Sequence, residues 1–224
     1  MGYCCLPGYG LLPEDIQAST WEGLPLTSLD GVRKNLAFYI TQPIVNLLSR
    51  TGITPNMVTW FGLLISVGAG VLVGIGHPFA AGFVVLAGGF FDIIDGALAR
   101  STNRATRFGA ILDSTLDRVG EAVVFLGMIV LYARQPSVTG VVVVGVVWLM
   151  SLLVSYIRAR SEGMGINCEV GIFTRAERII MVALGLLLSQ IGDALFIIMS
   201  VIAVLSFITV LQRLQHAWRQ TRTG

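Results

Sequence analysis

Hydrophobic positions in this chain come in long continuous runs, not in an alternating or one-faced pattern. The plainest lies between Arg50 and Asp92, where no Asp, Glu, Lys or Arg occurs. A bilayer-crossing helix needs about 20 mostly apolar residues. Continuous runs of that length predict spanning helices; barrel strands would alternate lipid-facing and lumen-facing residues. The pattern predicts six helices, at about 57–76, 79–99, 109–133, 138–160, 177–191 and 194–214. Thr54 and Pro55 suit the cap and first turn of the first. "GHP" (76–78) separates the first two, and "GD" (192–193) the last two. The polar segment 159–178, "ARSEGMGINCEVGIFTRAER", precedes the fifth.

Upstream the pattern changes. Residues 1–30 are mixed and hold Pro7, Pro13 and Pro25, so an irregular tail is expected. Residues 29–48 are apolar with scattered polar positions. Arg33, Lys34, Asn35, Gln42 and Asn46 make a crossing expensive, so a helix on the membrane surface is expected, bent near Pro43. The fold class is then an all-α integral membrane protein: six transmembrane helices preceded by an interfacial amphipathic helix. The expected divisions are a tail (1–30), a cytoplasmic juxtamembrane helix (31–50), the membrane domain (51–216) and a cytoplasmic C-terminal tail (217–224).

Composition agrees. Of 224 residues, 54% are hydrophobic and 12% charged, with a mean hydropathy of +0.79; soluble domains carry nearer a quarter charged residues. Cys4, Cys5 and Cys168 have no metal-ligand spacing and leave an odd thiol, so no zinc site or disulfide framework is expected. His77 and His216 are isolated, and loop and interface roles suit them. The N-terminus lacks the pattern of a cleaved signal peptide, and Leu6 argues against myristoylation. No nucleic-acid partner is expected. With a cytoplasmic N-terminus, 14 of the 15 Lys and Arg residues fall on the cytoplasmic side and only Arg134 opposite, a strong positive-inside signal. Gly70, Gly74, Gly82, Gly88 and Gly89 let helices approach closely, within one chain or between two, and a homodimer is expected.

One stretch breaks the apolar pattern. "FFDIIDGALARSTNRATRFGAILDSTLDR" (90–118) places four aspartates and four arginines between apolar runs. Asp92 and Asp95 are three apart at the end of the second helix, and Asp113 and Asp117 four apart at the start of the third. Each spacing puts both carboxylates on one helix face, and the short connection lets the pairs converge. Converging anions near the headgroup level need compensating cations. Arginine ion pairs could supply them. Several carboxylate oxygens around a small volume also suit hard divalent cations, and two Mg²⁺ or Mn²⁺ ions would leave sites for phosphate oxygens. Gly96 and Gly109 remove side chains where a nucleotide could approach, and Arg100 can grip a diphosphate in a fork.

Asp92-x2-Asp95-Gly96-x2-Ala99-Arg100-x8-Gly109-x3-Asp113-x3-Asp117 resembles, position for position, the signature of the CDP-alcohol phosphotransferases. That resemblance implies transfer of a phosphatidyl-type group from a CDP-linked lipid to an alcohol, with release of CMP. It implies that Asp92, Asp95, Asp113 and Asp117 hold two divalent ions, and that Asp117 also takes the proton of the attacking hydroxyl. It further implies CDP contacts from Asn56, Met57, Val58, Thr59, Gly96, Arg100 and Thr106.

The acceptor has to be read elsewhere. Arg158, Arg160, Arg175 and Arg178 flank the polar segment on the side that holds the aspartates. They serve as interface anchors or as a second anion site for an acceptor that carries a phosphate. "YIRARSEG" followed by "GIFTRAERII" resembles the phosphatidylinositol phosphate synthases of actinobacteria and related archaeal enzymes, which use inositol 1-phosphate. Thr174 and Ala176 depart from that branch's second motif, so glycerol 3-phosphate stays the competing acceptor. The lipid is CDP-diacylglycerol or CDP-archaeol. An intramembrane prenyltransferase or a cation transporter would also use buried aspartates. Prenyltransferase motifs lie far apart in sequence, however, and transporter sites sit near the midplane.

Overall fold

The computed structural model describes residues 54–101, 106–135, 137–168 and 170–222, all within one compact unit. The expected tail at 1–30 and surface helix at 31–50 lie outside them. The described residues form six helices: α1 (Pro55–Gly74), α2 (Pro78–Ser101), α3 (Arg107–Arg134), α4 (Val138–Glu162), α5 (Arg175–Leu187) and α6 (Ala194–Arg222). Each expected helix overlaps one of them, although α5, expected to reach 191, ends at Leu187. Three are long and apolar enough to cross a membrane, over Asn56–Gly74, Val138–Glu162 and Ala194–Arg222, and Pro78–Asp92 is a shorter apolar helix. The chain is a membrane protein, and helices suit it because every backbone polar group is satisfied within the segment.

Local sequence sets the helix ends. Pro55 starts α1 behind Thr54, although the Thr54 side chain makes no capping bond. At the first break Gly76 takes φ +95°, which a side chain would resist, and the His77 N–H returns to the Leu72 carbonyl at 2.8 Å. Thr106 caps α3 by accepting from the Gly109 N–H at 2.9 Å. At α5, Glu177 accepts from the Thr174 N–H at 2.8 Å. α6 runs on to Arg222 where an end near 214 and a tail over 217–224 were expected. Residues 215–222 contain no Gly or Pro to stop it. The Arg222 guanidinium also lies 4.3 Å from the Trp218 ring centre, one turn back.

α1 packs on α2 and α3, α2 on α5, α3 on α4, and α6 on α4 and α5. Phe125, Met128, Val144, Val147, Leu186 and Met199 lie at the centre of the main apolar cluster. Two of the glycines expected to bring helices together, Gly70 and Gly82, do so within the chain. A Cβ on Gly70 would lie 2.6 Å from the Val123 carbonyl oxygen, and one on Gly82 would lie 2.8 Å from Leu187. The tightest crossing is Gly127 against Gly70, where a Cβ on Gly127 would sit 2.2 Å from the Gly70 carbonyl oxygen. Both partners there are backbone, so neither can turn aside. Gly127→Ala should force α1 from α3 and lower stability by about 1–3 kcal/mol. Gly145→Ala on α4, with open space around it, should be neutral or mildly stabilising. Melting of the two variants in detergent checks this; equal behaviour would contradict the close crossing.

Candidate active site

The end of α2 and the start of α3 converge where the sequence places the charge. Arg175, first residue of α5, joins them: its Nη2 lies 2.7 Å from Asp92 Oδ2 and its Nη1 2.6 Å from Asp117 Oδ2. One guanidinium thus bridges carboxylates from two helices. Burial works against the Arg175 charge, but Asp117 and then Asp92 outweigh it and raise its pKa above the usual arginine value, keeping it charged. Asp113 is half-buried and within electrostatic reach of Asp92, Arg175 and Arg118. Asp95, Gly96 and Arg100 lie on α2, and their surroundings fall outside the described residues. Among the described residues, no three acidic, His or Cys side chains are gathered as a metal cluster. Asp92 and Asp117 instead show the arginine compensation that the sequence left open.

Two cavities meet at this centre. The inner one, of about 50 Å³, lies between α1, α2, α3 and α5 and is lined by Thr59, Gly62, Ser66, Asp92, Asp117 and Glu121 among others. Gly62 gives Asp92 room, since a Cβ there would sit 3.3 Å from Asp92 Oδ1. Nearby, a Cβ on Gly109 would lie 2.9 Å from Thr106 Oγ1 and 3.2 Å from Asn56 Oδ1. The expected nucleotide residues Asn56 and Thr106 therefore meet over a glycine that leaves them space. Thr59 reaches the inner cavity. Met57 is exposed and Val58 is buried, so the four-residue segment splits between the site and its support.

The outer cavity, of about 420 Å³, has the size of a small-molecule pocket. Its charged lining is Asp117, Arg118, Arg158, Glu162, Arg175, Arg178 and Arg213. The structure therefore brings Arg158, Arg175 and Arg178 together, as expected. Arg160 is exposed and does not line the cavity; two positions beyond Arg158 on α4, it falls on the far side of the helix. Arg158 pairs with Glu162 at 2.7 Å, and Arg178 is fully buried against Glu121.

Arg118 and Arg213 are additions. Arg118 follows Asp117 directly and donates to the Ser114 carbonyl. Arg213 is 3% exposed and held by carbonyls, those of Val170 at 3.0 Å and Val154. Gly171 permits that hold: it takes φ +136°, and a Cβ on it would meet Thr209 at 2.7 Å and Arg213 Nε at 3.3 Å. An ionisable residue late in an apolar spanning helix is itself a functional signal, and it was available in the sequence. Asp117 and Arg175 line both cavities.

Residues 52–212 match the model of the CDP-alcohol phosphatidyltransferase family. A phosphatidylinositol phosphate synthase of Mycobacteroides abscessus is 40% identical over 185 residues, covering 80% of this chain and 84% of that protein. An archaetidylinositol phosphate synthase of Methanothermobacter thermautotrophicus is 35% identical over 179 residues, covering 79% and 89%. Crystal structures of the Mycobacterium tuberculosis phosphatidylinositol phosphate synthase, 37% identical, resemble the fold. The one with CDP-DAG bound has a TM-score of 0.75 and covers 80% of this chain and 94% of that one. The one with manganese and citrate has a TM-score of 0.73, covering 80% and 88%. The chain belongs to the CDP-alcohol phosphatidyltransferase family. It is an enzyme, a CDP-alcohol phosphotransferase, and the prenyltransferase and transporter readings fall away.

Proposed function

We propose that this enzyme moves the phosphatidyl group of a CDP-linked lipid onto inositol 1-phosphate, making phosphatidylinositol phosphate and CMP. In this reading the chain crosses a cell membrane six times, works at the cytoplasmic face and pairs as a homodimer. The observation that carries it is Asp117, which lines both cavities, one beside the aspartates and one lined by five arginines. A general base for this transfer must lie within hydrogen-bond reach of the acceptor hydroxyl while that oxygen approaches the reacting phosphorus. Asp117 takes the hydroxyl proton, the acceptor oxygen bonds to the lipid-side phosphorus, and the bond to the CMP phosphate breaks. The names of the relatives support the acceptor and the lipid. The acidic centre lies against Arg175, the first residue of α5, so in this reading the acyl chains stay in the bilayer while the headgroup reacts near its edge.

The donor set fits divalent ions: Asp92, Asp95, Asp113 and Asp117 offer only carboxylate oxygens, and two of them already lie close enough to share one guanidinium. These four would hold two Mg²⁺ or Mn²⁺ ions, which when bound neutralise the diphosphate and stabilise departing CMP. Arg175 competes for the same oxygens and, when displaced, already lines the acceptor cavity. Asn56, Thr59, Gly96, Arg100 and Thr106 contact the CDP group, with Met57 and Val58 seating their helix. Arg158, Arg175, Arg178, Arg118 and Arg213 receive the acceptor's phosphate, and Arg160 is left as an anchor.

Both candidate acceptors are phosphate monoesters. The test is to supply purified protein with CDP-diacylglycerol, Mn²⁺ and labelled inositol 1-phosphate or glycerol 3-phosphate, following label into lipid and CMP release. Lipid label from inositol 1-phosphate matching CMP is expected. Label from glycerol 3-phosphate alone would reassign the acceptor.

A further inference from the structure

The wall between the two cavities contains an ion pair whose carboxylate no step above uses. Glu121 lies one turn beyond Asp117 on α3 and lines the inner cavity. Arg178, in the first turn of α5, is fully buried and lines the outer cavity. The pair is bidentate and side-on: Arg178 Nε donates to Glu121 Oε1, and Nη2 donates to Oε2 at 3.2 Å. That grip takes one edge of the guanidinium. The remaining nitrogen, Nη1, is buried and has no hydrogen-bond partner, although a buried donor normally finds one.

Resting on the acceptor reading above, we propose that Glu121 is a positioning residue of the acceptor site, holding Arg178 so that Nη1 meets the acceptor's phosphate. An arginine side chain has many rotamers, and a fork to a fixed carboxylate removes most of them before the ligand arrives. Glu121 also compensates the guanidinium charge, which would otherwise be buried without a carboxylate. Glutamine in its place keeps the size but can accept from only one of the two nitrogens, because its amide nitrogen is a donor. Aspartate keeps the charge on a shorter arm.

The test is the dissociation constant of inositol 1-phosphate, with glycerol 3-phosphate in parallel, together with acceptor KM, CDP-lipid KM and kcat. For Glu121→Gln, acceptor Kd and KM should rise about tenfold, as for loss of one charge-assisted contact, with CDP-lipid KM and kcat within twofold. Glu121→Asp should fall between Gln and wild type, and it carries the test alone should the Gln variant not fold. In an Arg178→Ala background, Glu121→Gln should add almost nothing to the acceptor Kd, since both act through one contact. A general loss of structure would add in full and would overturn the proposal. So would a fall in kcat with unchanged acceptor Kd, or Gln and Asp variants that bind like wild type. Wild-type protein that binds neither phosphate ester would instead overturn the acceptor reading itself.

Discussion

Asn in place of Asp92 or Asp113 should abolish CMP release while leaving a folded membrane protein. The Asp92 side chain is still 25% exposed, so losing its pair with Arg175 costs the fold little. An amide oxygen remains, but the charge that attracts a divalent ion is gone. EDTA should reproduce the loss in the wild type, and Mg²⁺ or Mn²⁺ should restore activity. Asp117→Asn differs in kind: a neutral amide cannot accept the hydroxyl proton, and kcat should fall about 10²–10⁴-fold, beyond any weakening of CDP-lipid binding. CMP release, circular dichroism and CDP-lipid binding on the same preparations separate these effects. Full activity in chelator would contradict the metal role, and equal losses of binding and rate would make Asp117 chiefly a ligand.

Arg213→Ala and Arg178→Ala should each raise acceptor KM about ten- to a hundredfold, with the CDP-lipid KM nearly unchanged. Both side chains are buried, at 3% and 0% exposure, and both line the outer cavity. A phosphate monoester approaches two negative charges near neutral pH, and each charge-assisted contact contributes about 1.5–3 kcal/mol. Lysine should rescue either position only in part, since an ammonium cannot grip two oxygens in a fork. Arg160→Ala, on the exposed side of α4, should leave acceptor KM within twofold. Steady-state kinetics with each substrate varied in turn checks this; a rise in CDP-lipid KM as large as the acceptor's would mean that the arginines hold the shape of the whole site.

Much of this was legible because lipid simplifies the code. Apolar runs located all six helices, and the spacing of the aspartates foretold the convergence that Asp92 and Asp117 make on Arg175. The four arginines in and beside the polar segment were harder to place. Their spacing along α4 and α5 does not say which faces meet, and so Arg160 was grouped with Arg158 although the helix turns it away. Arg213 lies 35 positions beyond Arg178, and only the packing of α6 on α4 and α5 carries it to the same cavity. Glu121 lies 57 positions before Arg178, and only the fold brings the two together. Arg175 was read as an acceptor residue, yet it also bridges Asp92 and Asp117, a contact 83 positions long. Such long-range contacts have no local signature.

In the proposed reaction the arginine cavity reads the phosphate on the acceptor while Asp117 activates its hydroxyl. The most direct measurement is the ratio of kcat/KM for inositol 1-phosphate to that for inositol, with CDP-diacylglycerol and Mn²⁺ saturating. Loss of two or more charge-assisted contacts predicts a ratio of at least about a hundred. A ratio near one would contradict the account.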